Sequence, residues 1–277
     1  MMYAGLTNNA NSARCFAINE NNLYFGSFDD NIRIWSTETY EETAILKGSG
    51  GAVLCLVHHE HKLYSGGADG TICIWNTDTR KQIASIQGSI SCVCCLAIHG
   101  NKLFSGDKNG IICGWNTDTY EKITTMIGHT YDILCLTVHN NNLYSGGADH
   151  TIRVWNTDTY ETLATLEGHT GWVCCLDYHG NKLYSGSRDN TIRVWNTDTY
   201  ETIATLNGHT KAVLCLTIRE NNLYSGSWDR TIRVWKIDSH ETTLTLKGHD
   251  GWVQCLIHDG NKLYSGSSDK TINVWNV

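Results

Sequence analysis

Serine, histidine and aspartate recur together along this chain of 277 residues, and they are the residue types of a nucleophilic hydrolase. His169 is followed by Ser185 and Asp189, and the same set returns forty residues later. A serine nucleophile also needs an oxyanion hole and a substrate cleft, and no break in the repeat indicates either one. The three side chains can instead form one hydrogen-bonded chain with the indole N–H of Trp195. We therefore predict a structural network and no catalytic site.

The set is complete in the last four repeats. Its members are His129, Ser145, Asp149 and Trp155; His169, Ser185, Asp189 and Trp195; His209, Ser225, Asp229 and Trp235; and His249, Ser265, Asp269 and Trp275. The first three repeats hold Asn9, Ser49 and Ser89 at the histidine position. Phe25 replaces the serine of the first repeat, and Asn109 replaces the aspartate of the third. The network is therefore expected to be incomplete in these three repeats.

A period of forty residues organises the whole chain. Its clearest marker is a series of tryptophans at Trp35, Trp75, Trp115, Trp155, Trp195, Trp235 and Trp275. Residues 151–170 and 191–210 differ only by Leu163 in place of Ile203 and by Glu167 in place of Asn207. A unit that is repeated in this way indicates an architecture in which each copy buries its faces against neighbouring copies.

Each repeat contains four short segments of strand-like composition. In the fifth repeat they are residues 171–179, 181–187, 191–195 and 201–206. Val, Ile, Thr and Tyr dominate these segments, as is typical of strands. Several are apolar at both odd and even positions, which indicates that both sheet faces are buried. The pattern predicts an all-β, seven-bladed propeller with four-stranded antiparallel blades.

The two ends of the chain together complete one blade. The last repeat ends at Val277, directly after its third strand, and residues 2–6 align with the fourth strand of the other repeats. We therefore expect strand 2–6 to join the last blade and close the ring, which removes two open sheet edges. The predicted single domain, residues 1–277, has blades at about 9–47, 49–87, 89–127, 129–167, 169–207, 209–247 and 249–277 plus 2–6.

The order of short motifs within each repeat resembles the WD-repeat family. Gly-His is followed by Ser-Gly, then by an Asp turn and a strand that ends in Trp, and the resemblance covers essentially all of residues 1–277. One departure is that the Trp is followed by Asn in five repeats, by Ser at Trp35 and by Lys at Trp235. The sequence around "LYSGSxDxTIRVW" is similar to the repeats in the propellers of F-box ubiquitin-ligase receptors and of myosin heavy-chain kinases. The resemblance implies that the network locks the turn loops to each sheet.

Candidate binding residues lie where the repeat varies. On the propeller face that carries the Gly-His and Asp loops, which we call the network face, two positions per repeat change freely. The three tryptophans outside the forty-residue series fall at these positions, in repeats five to seven, and basic residues accompany them. The predicted binding residues are Trp172, Arg188, Lys211, Trp228, Arg230 and Trp252. Exposed Trp and Arg together are typical of protein-binding hot spots. As an alternative, each Trp packs over its own loop.

The opposite face, which we call the acidic face, is a second candidate surface. Its turns between the third and fourth strands carry Glu38, Asp78, Asp118, Asp158, Asp198, Asp238, Glu41, Glu121, Glu161, Glu201 and Glu241. The same turns carry Tyr40, Tyr120, Tyr160 and Tyr200. A ring of carboxylates can attract a basic partner, but a solvated charged face that keeps the propeller soluble is the preferred interpretation.

Composition excludes several classes of protein. A net charge of -7 argues against nucleic-acid binding, and the chain has no apolar run long enough to cross a membrane. The start of the sequence has no secretory signal pattern, and the twelve cysteines form no CxxC pair. "HHEH" (58–61) is interpreted as a solvated turn, and "GSGG" (48–51) lacks the Lys and helix of a phosphate loop. We therefore expect no cofactor, no metal and no disulfide.

The sequence predicts a non-catalytic scaffold or adaptor that presents a propeller face to a protein or peptide. The substrate-recognition subunit of a ubiquitin ligase or a kinase-targeting module is one alternative, and a recently amplified or engineered array without a specific partner is another. An enzyme ranks last. We expect an intracellular protein, cytoplasmic with the nucleus left open, that is a monomer or a subunit of a larger complex.

Overall fold

The computed structural model describes residues 2–7, 12–48 and 50–277. Asn9 and Ser49, which hold the histidine position in the first two repeats, lie outside the described residues. The described residues form twenty-eight strands and no helix.

The strands follow one another in groups of four. Blade 1 contains β2 (Cys15–Asn19), β3 (Asn22–Gly26), β4 (Asn31–Ser36) and β5 (Glu42–Lys47). Blade 2 contains β6 (Val53–His59), β7 (Lys62–Gly67), β8 (Thr71–Asn76) and β9 (Lys81–Gln87), and blade 3 contains β10 (Val93–His99), β11 (Lys102–Asp107), β12 (Ile111–Asn116) and β13 (Lys122–Ile127). Blade 4 contains β14 (Ile133–His139), β15 (Asn142–Gly147), β16 (Ile152–Asn156) and β17 (Thr162–Leu166).

The second half of the chain repeats this arrangement. Blade 5 contains β18 (Val173–His179), β19 (Lys182–Ser187), β20 (Ile192–Asn196) and β21 (Thr202–Leu206), and blade 6 contains β22 (Val213–Arg219), β23 (Asn222–Ser227), β24 (Thr231–Lys236) and β25 (Thr242–Lys247). Blade 7 combines β26 (Val253–Asp259), β27 (Lys262–Ser267) and β28 (Thr271–Asn276) with β1 (Met2–Thr7) from the N-terminal end.

Ring closure is provided by β1. It pairs antiparallel with β28, with Gly5 opposite Asn273 and Thr7 opposite Thr271. The seven sheets are each four-stranded and antiparallel. The predicted all-β, seven-bladed propeller is therefore confirmed, including the N-terminal strand in the last blade, and that strand extends one residue beyond the predicted 2–6.

The first strands of the blades surround the axis. Contacts run from β2 through β6, β10, β14, β18 and β22 to β26, and β26 contacts β2 again. In each sheet the order is first, second, third and fourth strand, so the fourth strands form the outer rim. The core is divided into seven hydrophobic clusters, and each one joins two adjacent blades. A blade therefore buries its faces only when a neighbour is present on both sides.

The repeated "NTDTY" forms the turn between the third and fourth strands because Asn caps it. In blade 5 the side-chain oxygen of Asn196 accepts hydrogen bonds from the backbone N–H groups of Asp198, at 2.7 Å, and Thr199, at 3.0 Å. Tyr200 then adopts a φ of 63°, and its N–H donates to the carbonyl of Asn196 at 2.9 Å. The chain reverses within five residues and places the acidic side chains of this turn in solvent.

Adjacent blades interlock through a cysteine, a glycine and a valine. A Cβ on Gly186 would lie 2.6 Å from Cys175 Sγ and 2.6 Å from Val213 Cγ1, the latter on the next blade. The Cys175 thiol donates to the carbonyl of Val213 at 3.9 Å. The same crowding occurs at Gly66, Gly106, Gly146 and Gly226. The glycine of the "SG" motif is therefore required because a side chain would push the blades apart.

All twelve cysteines are free thiols in this structure. The cysteine that recurs every forty residues donates to a backbone carbonyl of the next blade in every case, and the last contact, from Cys255 to Ala13 at 3.4 Å, crosses the closure of the ring. Burial raises the pKa of the Cys15 thiol to about 12. These thiols are consequently protonated packing groups.

Two hydrogen bonds that involve side chains join the first strands of blades 5, 6 and 7. Asp177 Oδ2 accepts a hydrogen bond from the N–H of Ile218 at 2.8 Å, and His258 Nε2 donates to the carbonyl of Ile218 at 2.8 Å. Burial raises the pKa of the Asp177 carboxyl to about 6, although the N–H groups of Tyr178 and Ile218 oppose this shift. Sequence reasoning missed Asp177. The equivalent residues of the other blades are Ala17, Val57, Ala97, Thr137, Thr217 and Ile257, so the one acid in this column was a visible signal.

The close contact between blades predicts that Gly186→Ala lowers the free energy of unfolding, and that the size of this effect depends on Cys175. Because the new Cβ meets Cys175 and Val213, the free energy of unfolding should fall by about 1–3 kcal/mol in urea denaturation. Adding Cys175→Ala removes one clashing atom, so the two changes should show a coupling of roughly 1 kcal/mol. Gly180→Ala is the control, since nothing lies within 4 Å of a Cβ there, and its effect should add to that of Cys175→Ala without coupling. Additivity of the Gly186 pair would contradict the interlock.

The raised pKa of Asp177 predicts that this carboxyl lowers the stability of the fold at neutral pH but not at acidic pH. Its folded-state pKa lies above the unfolded value, so the ionised carboxyl destabilises the fold at neutral pH and protonation removes that cost. Asp177→Asn, which keeps an acceptor for Ile218, should be more stable than the natural chain by about 1–3 kcal/mol at pH 7.

The difference between these two chains should shrink as the pH falls from about 6 to about 4, measured by urea denaturation at several pH values. Thr137→Val, at the same position of blade 4, introduces no titrating group and should give a constant difference. A constant difference for Asp177→Asn would show that the pKa of the Asp177 carboxyl is not raised in the folded chain.

Candidate functional site

The predicted network residues of blade 5 lie within hydrogen-bonding distance of one another. The Asp189 carboxylate accepts from His169 Nδ1 at 2.6 Å, and His169 Nε2 lies 2.8 Å from Ser185 Oγ. The same Oγ accepts from Trp195 Nε1 at 2.8 Å. Asp189 also accepts from the N–H of Thr170 at 3.0 Å, so the chain of bonds ties the loop before β18 to the third strand of its sheet. Ser185 is fully buried, which keeps its hydroxyl away from any substrate in this conformation.

The same geometry recurs in blades 4, 6 and 7. The distance from His Nε2 to Ser Oγ is 2.7 Å for His129 and Ser145, for His209 and Ser225, and for His249 and Ser265. The corresponding histidine Nδ1 atoms bond to Asp149, Asp229 and Asp269, and the indoles of Trp155, Trp235 and Trp275 donate to the serines.

Electrostatics supports a neutral imidazole beside an ionised carboxylate in blade 7. Burial lowers the pKa of His249, although the Asp269 charge opposes this shift. Burial of Asp269 disfavours its ionised form, but hydrogen bonds from the hydroxyl and the backbone N–H of Thr271 hold its pKa at about 2. The Ser265 hydroxyl can then donate to the neutral ring nitrogen while it accepts from Trp275. Every polar atom in the buried chain of bonds is satisfied.

Blades 1 and 3 replace the missing histidine in ways that sequence reasoning did not foresee. In blade 1 the Arg33 guanidinium donates to Asp29 Oδ2 at 2.6 Å and to Ser27 Oγ at 3.0 Å. In blade 3 Ser89 Oγ donates to Asp107 Oδ2 at 2.6 Å. Asp107 lies two positions before Asn109 and accepts the hydrogen bond that the absent aspartate would accept. The sequence shows a carboxylate close to the expected position, and this could have predicted the replacement.

The tryptophan-to-serine bond persists where serine is present. Trp75 Nε1 donates to Ser65 Oγ at 3.0 Å in blade 2, and Trp115 Nε1 donates to Ser105 Oγ at 2.9 Å in blade 3. In blade 1 Phe25 occupies the serine position, and the Trp35 ring meets it edge-on at 5.3 Å, while the Trp35 Nε1 has no hydrogen-bond partner among the described residues. The substitution exchanges a hydrogen bond for an aromatic contact.

Four of the six predicted binding residues form one stack on the network face. The Arg188 guanidinium lies 3.6 Å from the ring centroid of Trp172 and 5.0 Å from that of Trp228. The Trp228 ring is followed by Trp252 at 5.1 Å, with an angle of 33° between the planes. Arg188 is exposed, and 46% of the Trp252 surface is accessible. We call these four residues the Trp–Arg ladder.

The ladder crosses blade boundaries. Trp172 and Arg188 belong to blade 5, Trp228 to blade 6, and Trp252 to blade 7. The contact between Trp172 and Arg188 is the within-blade packing that the sequence left open as an alternative, and the other two contacts join neighbouring blades. Lys211 and Arg230 are exposed on adjoining loops, and within the described part of the chain neither forms a cation–π contact with a ladder ring.

Beside the ladder, the axis opens into a cavity of about 270 Å³. Its walls are the first strands, which contribute mainly leucines and thiols, including Leu134, Leu214 and Cys174. Polar groups come from Arg14 and Gln254, and Arg188, Trp228 and Trp252 border the mouth. We call this space the axial cavity. The sequence did not reveal it because no periodic pattern shows which side chains converge on an axis.

The tyrosines of the acidic face take part in contacts between blades. Lys102 Nζ donates to the carbonyl of Thr157 at 2.8 Å, pairs with Asp158 at 2.8 Å and lies 5.4 Å from the Tyr160 ring centroid. Equivalent contacts join Lys62 to Thr117 and Tyr120, and Lys262 to Thr37 and Tyr40. These aromatic rings are therefore engaged within the propeller, which weakens the acidic face as a docking surface.

A search for other kinds of site gives negative results within residues 12–48 and 50–277. No group of three or more His, Cys, Asp or Glu side chains there could hold a metal ion. No helix in the described residues is long and apolar enough to cross a membrane. The network face with its ladder and axial cavity is thus the site with the most distinctive geometry.

Comparison with known proteins agrees with this architecture. A family model described as WD domain, G-beta repeat matches residues 40–76, 120–156, 160–196, 200–236 and 240–276. Among solved structures, the chain is similar to "Crystal structure of the computationally designed Ika8 protein: crystal packing No.1 in P63", with a TM-score of 0.80, 26% identity, and coverage of 100% of this chain and 99% of that chain. A search of curated proteins gives no match.

The five family matches together cover more than half of the chain. Each begins in the turn after the third strand of one blade and ends with the third strand of the next. Residues 1–39 and 77–119 lie outside the matches, and they include the substituted networks of blades 1 and 3. On the evidence of these matches and of seven four-stranded blades joined in a ring, the chain belongs to the WD-repeat family.

Proposed function

We propose that this propeller is a non-catalytic scaffold or adaptor that binds a protein or peptide partner on its network face. WD-repeat propellers generally bind protein partners, which supports the coarse assignment. The observation that supports binding on the network face is the Trp–Arg ladder, in which a guanidinium lies between two indoles and a third indole extends the stack. Aromatic and arginine side chains dominate the binding energy of protein interfaces.

The ladder is held in place before any partner arrives. Each indole packs against another ladder residue, and the Thr170 N–H, two residues before Trp172, donates to the buried Asp189 carboxylate. Arg188 N–H donates to the carbonyl of Trp172 at 2.9 Å, which joins the two loops of blade 5. Side chains that are already ordered lose little conformational entropy on binding, so more of the contact energy is available for affinity.

A repeat array without a specific partner is the second candidate. The near identity of residues 151–170 and 191–210 favours it, and the similar solved structure described above is a computationally designed protein. The ladder favours the first candidate, because its residues are those that break the repeat. The more specific roles, in a ubiquitin ligase or in kinase targeting, stay proposals that rest on the sequence similarity of the repeats to those of F-box receptors and myosin heavy-chain kinases.

The remaining expectations about partners also stay proposals. The net charge of -7 supports the absence of nucleic-acid binding, and twelve free cysteines support an intracellular location, because thiols persist in reducing compartments. A monomer or a subunit of a larger complex remains the proposed state.

Replacing Trp172, Trp228 and Trp252 together by Ala should abolish partner binding while the melting temperature changes little. The three rings lie on the network face outside the buried clusters between blades. Binding is measured by proximity labelling and affinity purification from cells, with mass spectrometry of the retained proteins, and stability by thermal unfolding.

The matched control is the triple replacement of Ile90, Ile127 and Tyr131 by Ala. These residues are 97%, 74% and 63% exposed, and they lie on the network face in blades 3 and 4. This variant should retain the same proteins as the natural chain. Equal retention by all three chains would refute the ladder as the binding surface, and specific retention by none of them would favour the array without a partner.

A further inference from the structure

The axial cavity is positively charged in a chain that is negative overall. Arg14 and Arg188 both border it, and none of its lining residues in the described part of the chain is acidic. Eleven of the 28 acidic residues lie in the turns of the acidic face, at the other end of the axis. A concave space bordered by charges of one sign concentrates their field and attracts ions of the opposite charge.

Both guanidinium groups are positioned by aromatic rings. Arg14 lies 5.3 Å from the ring centroid of Phe28, and Arg188 lies between the rings of Trp172 and Trp228. Contacts of this kind occupy the planar faces of a guanidinium and leave its N–H edges available for hydrogen bonds. An arginine oriented in this way is suited to bind a carboxylate or a phosphate with two parallel bonds.

Neither arginine has a partner of opposite charge in the described residues. The arginine ion pairs there involve Arg33 and Arg219 only. The charge of Asp132 acts on Cys94 in the wall of the axial cavity, but within the described residues Asp132 forms no ion pair with Arg14 or Arg188. Two cations beside one cavity repel each other unless an anion joins them, so the site is electrostatically incomplete.

The size of the axial cavity indicates what can enter. At about 270 Å³ it lies just below the usual range of pockets for drug-sized ligands, and it opens directly beside the ladder. A single side chain of a bound peptide fits this description. The amide of Gln254, also in the lining, can donate a further hydrogen bond to an anionic oxygen.

We infer that the axial cavity is an anion site that accepts one acidic group, a carboxylate or a phosphate, from a peptide lying across the Trp–Arg ladder. Arg14 and Arg188 bind the anionic oxygens from opposite sides of the mouth, Gln254 adds a neutral donor, and Trp228 and Trp252 contact the adjoining peptide. This inference rests on the proposed function, since it states which feature of the partner the network face recognises.

Selection from a random twelve-residue peptide library displayed on phage tests the inference with the natural chain. Selected peptides should be enriched in Asp or Glu at one position. The Arg14→Gln/Arg188→Gln variant should lose that enrichment. The Lys247→Gln/Lys270→Gln variant removes the same number of charges from exposed outer positions of this face and should keep it.

Synthetic peptides then distinguish the sources of the anion. The enriched acidic residue is kept, replaced by phosphoserine, or replaced by Gln, and binding is followed by the intrinsic fluorescence of the ladder tryptophans. Replacing the acid by Gln should weaken binding about tenfold in the natural chain and have little effect in the Arg14→Gln/Arg188→Gln variant. Tighter binding of the phosphoserine peptide would identify phosphate as the preferred anion, and tighter binding of the Asp or Glu peptide would identify carboxylate.

The outcomes separate this inference from the proposed function. If peptides are selected without acidic enrichment, and the tryptophan variant still loses them, the ladder binds peptides and the anion site is wrong. If no peptides are selected by any chain, both proposals fail. Equal enrichment in the Arg14→Gln/Arg188→Gln variant would also overturn the anion site.

Discussion

The contact between neighbouring blades is the constraint on which the rest of the structure depends. A blade of four strands has two apolar faces, and the glycine between Cys175 and Val213 shows how closely the next blade approaches. Because each copy needs the same neighbour, the same residues must recur at the same positions, and the forty-residue period follows. The thiol column follows the same logic, since each cysteine fills the space that its glycine leaves open and donates to the next blade.

The ordered loops above this packed ring give the molecule its recognition surface. In blades 4 to 7 a buried histidine connects the loop to the sheet, and in blades 5 to 7 these loops carry the ladder. The repeated residues therefore build the support, and residues that depart from the repeat, such as Arg188 and Trp228, supply the chemistry. Blades 1 and 3 reach the same support with Arg33 and Ser89, which shows that the connection matters more than the histidine itself.

Periodicity was sufficient to predict the fold because strand composition, turn residues and glycine positions all agree in every copy. It also placed four binding candidates on one arc, since residues at equivalent positions of adjacent blades must be neighbours. It could not show that Arg188 lies between two indoles, because that arrangement depends on side-chain conformations. Arg14 and Asp177 were missed for a different reason. Each is the one charged residue among the equivalent positions of the seven repeats, and its importance appears only when the axis or the next blade brings it close to other groups.

The most direct test of the account is a cross-link between the two ends of the ring. Gly5 lies opposite Asn273 in the antiparallel pair of β1 and β28. Blades 2 and 3 already carry a cysteine at the position of Asn273. Gly5→Cys with Asn273→Cys should form a disulfide on mild oxidation, identified by peptide mapping in a mass spectrometer. Gly5→Cys with Asn276→Cys, whose second residue pairs with Lys262 instead, should not. Absence of the first cross-link, or equal yields of both, would contradict a ring closed by β1.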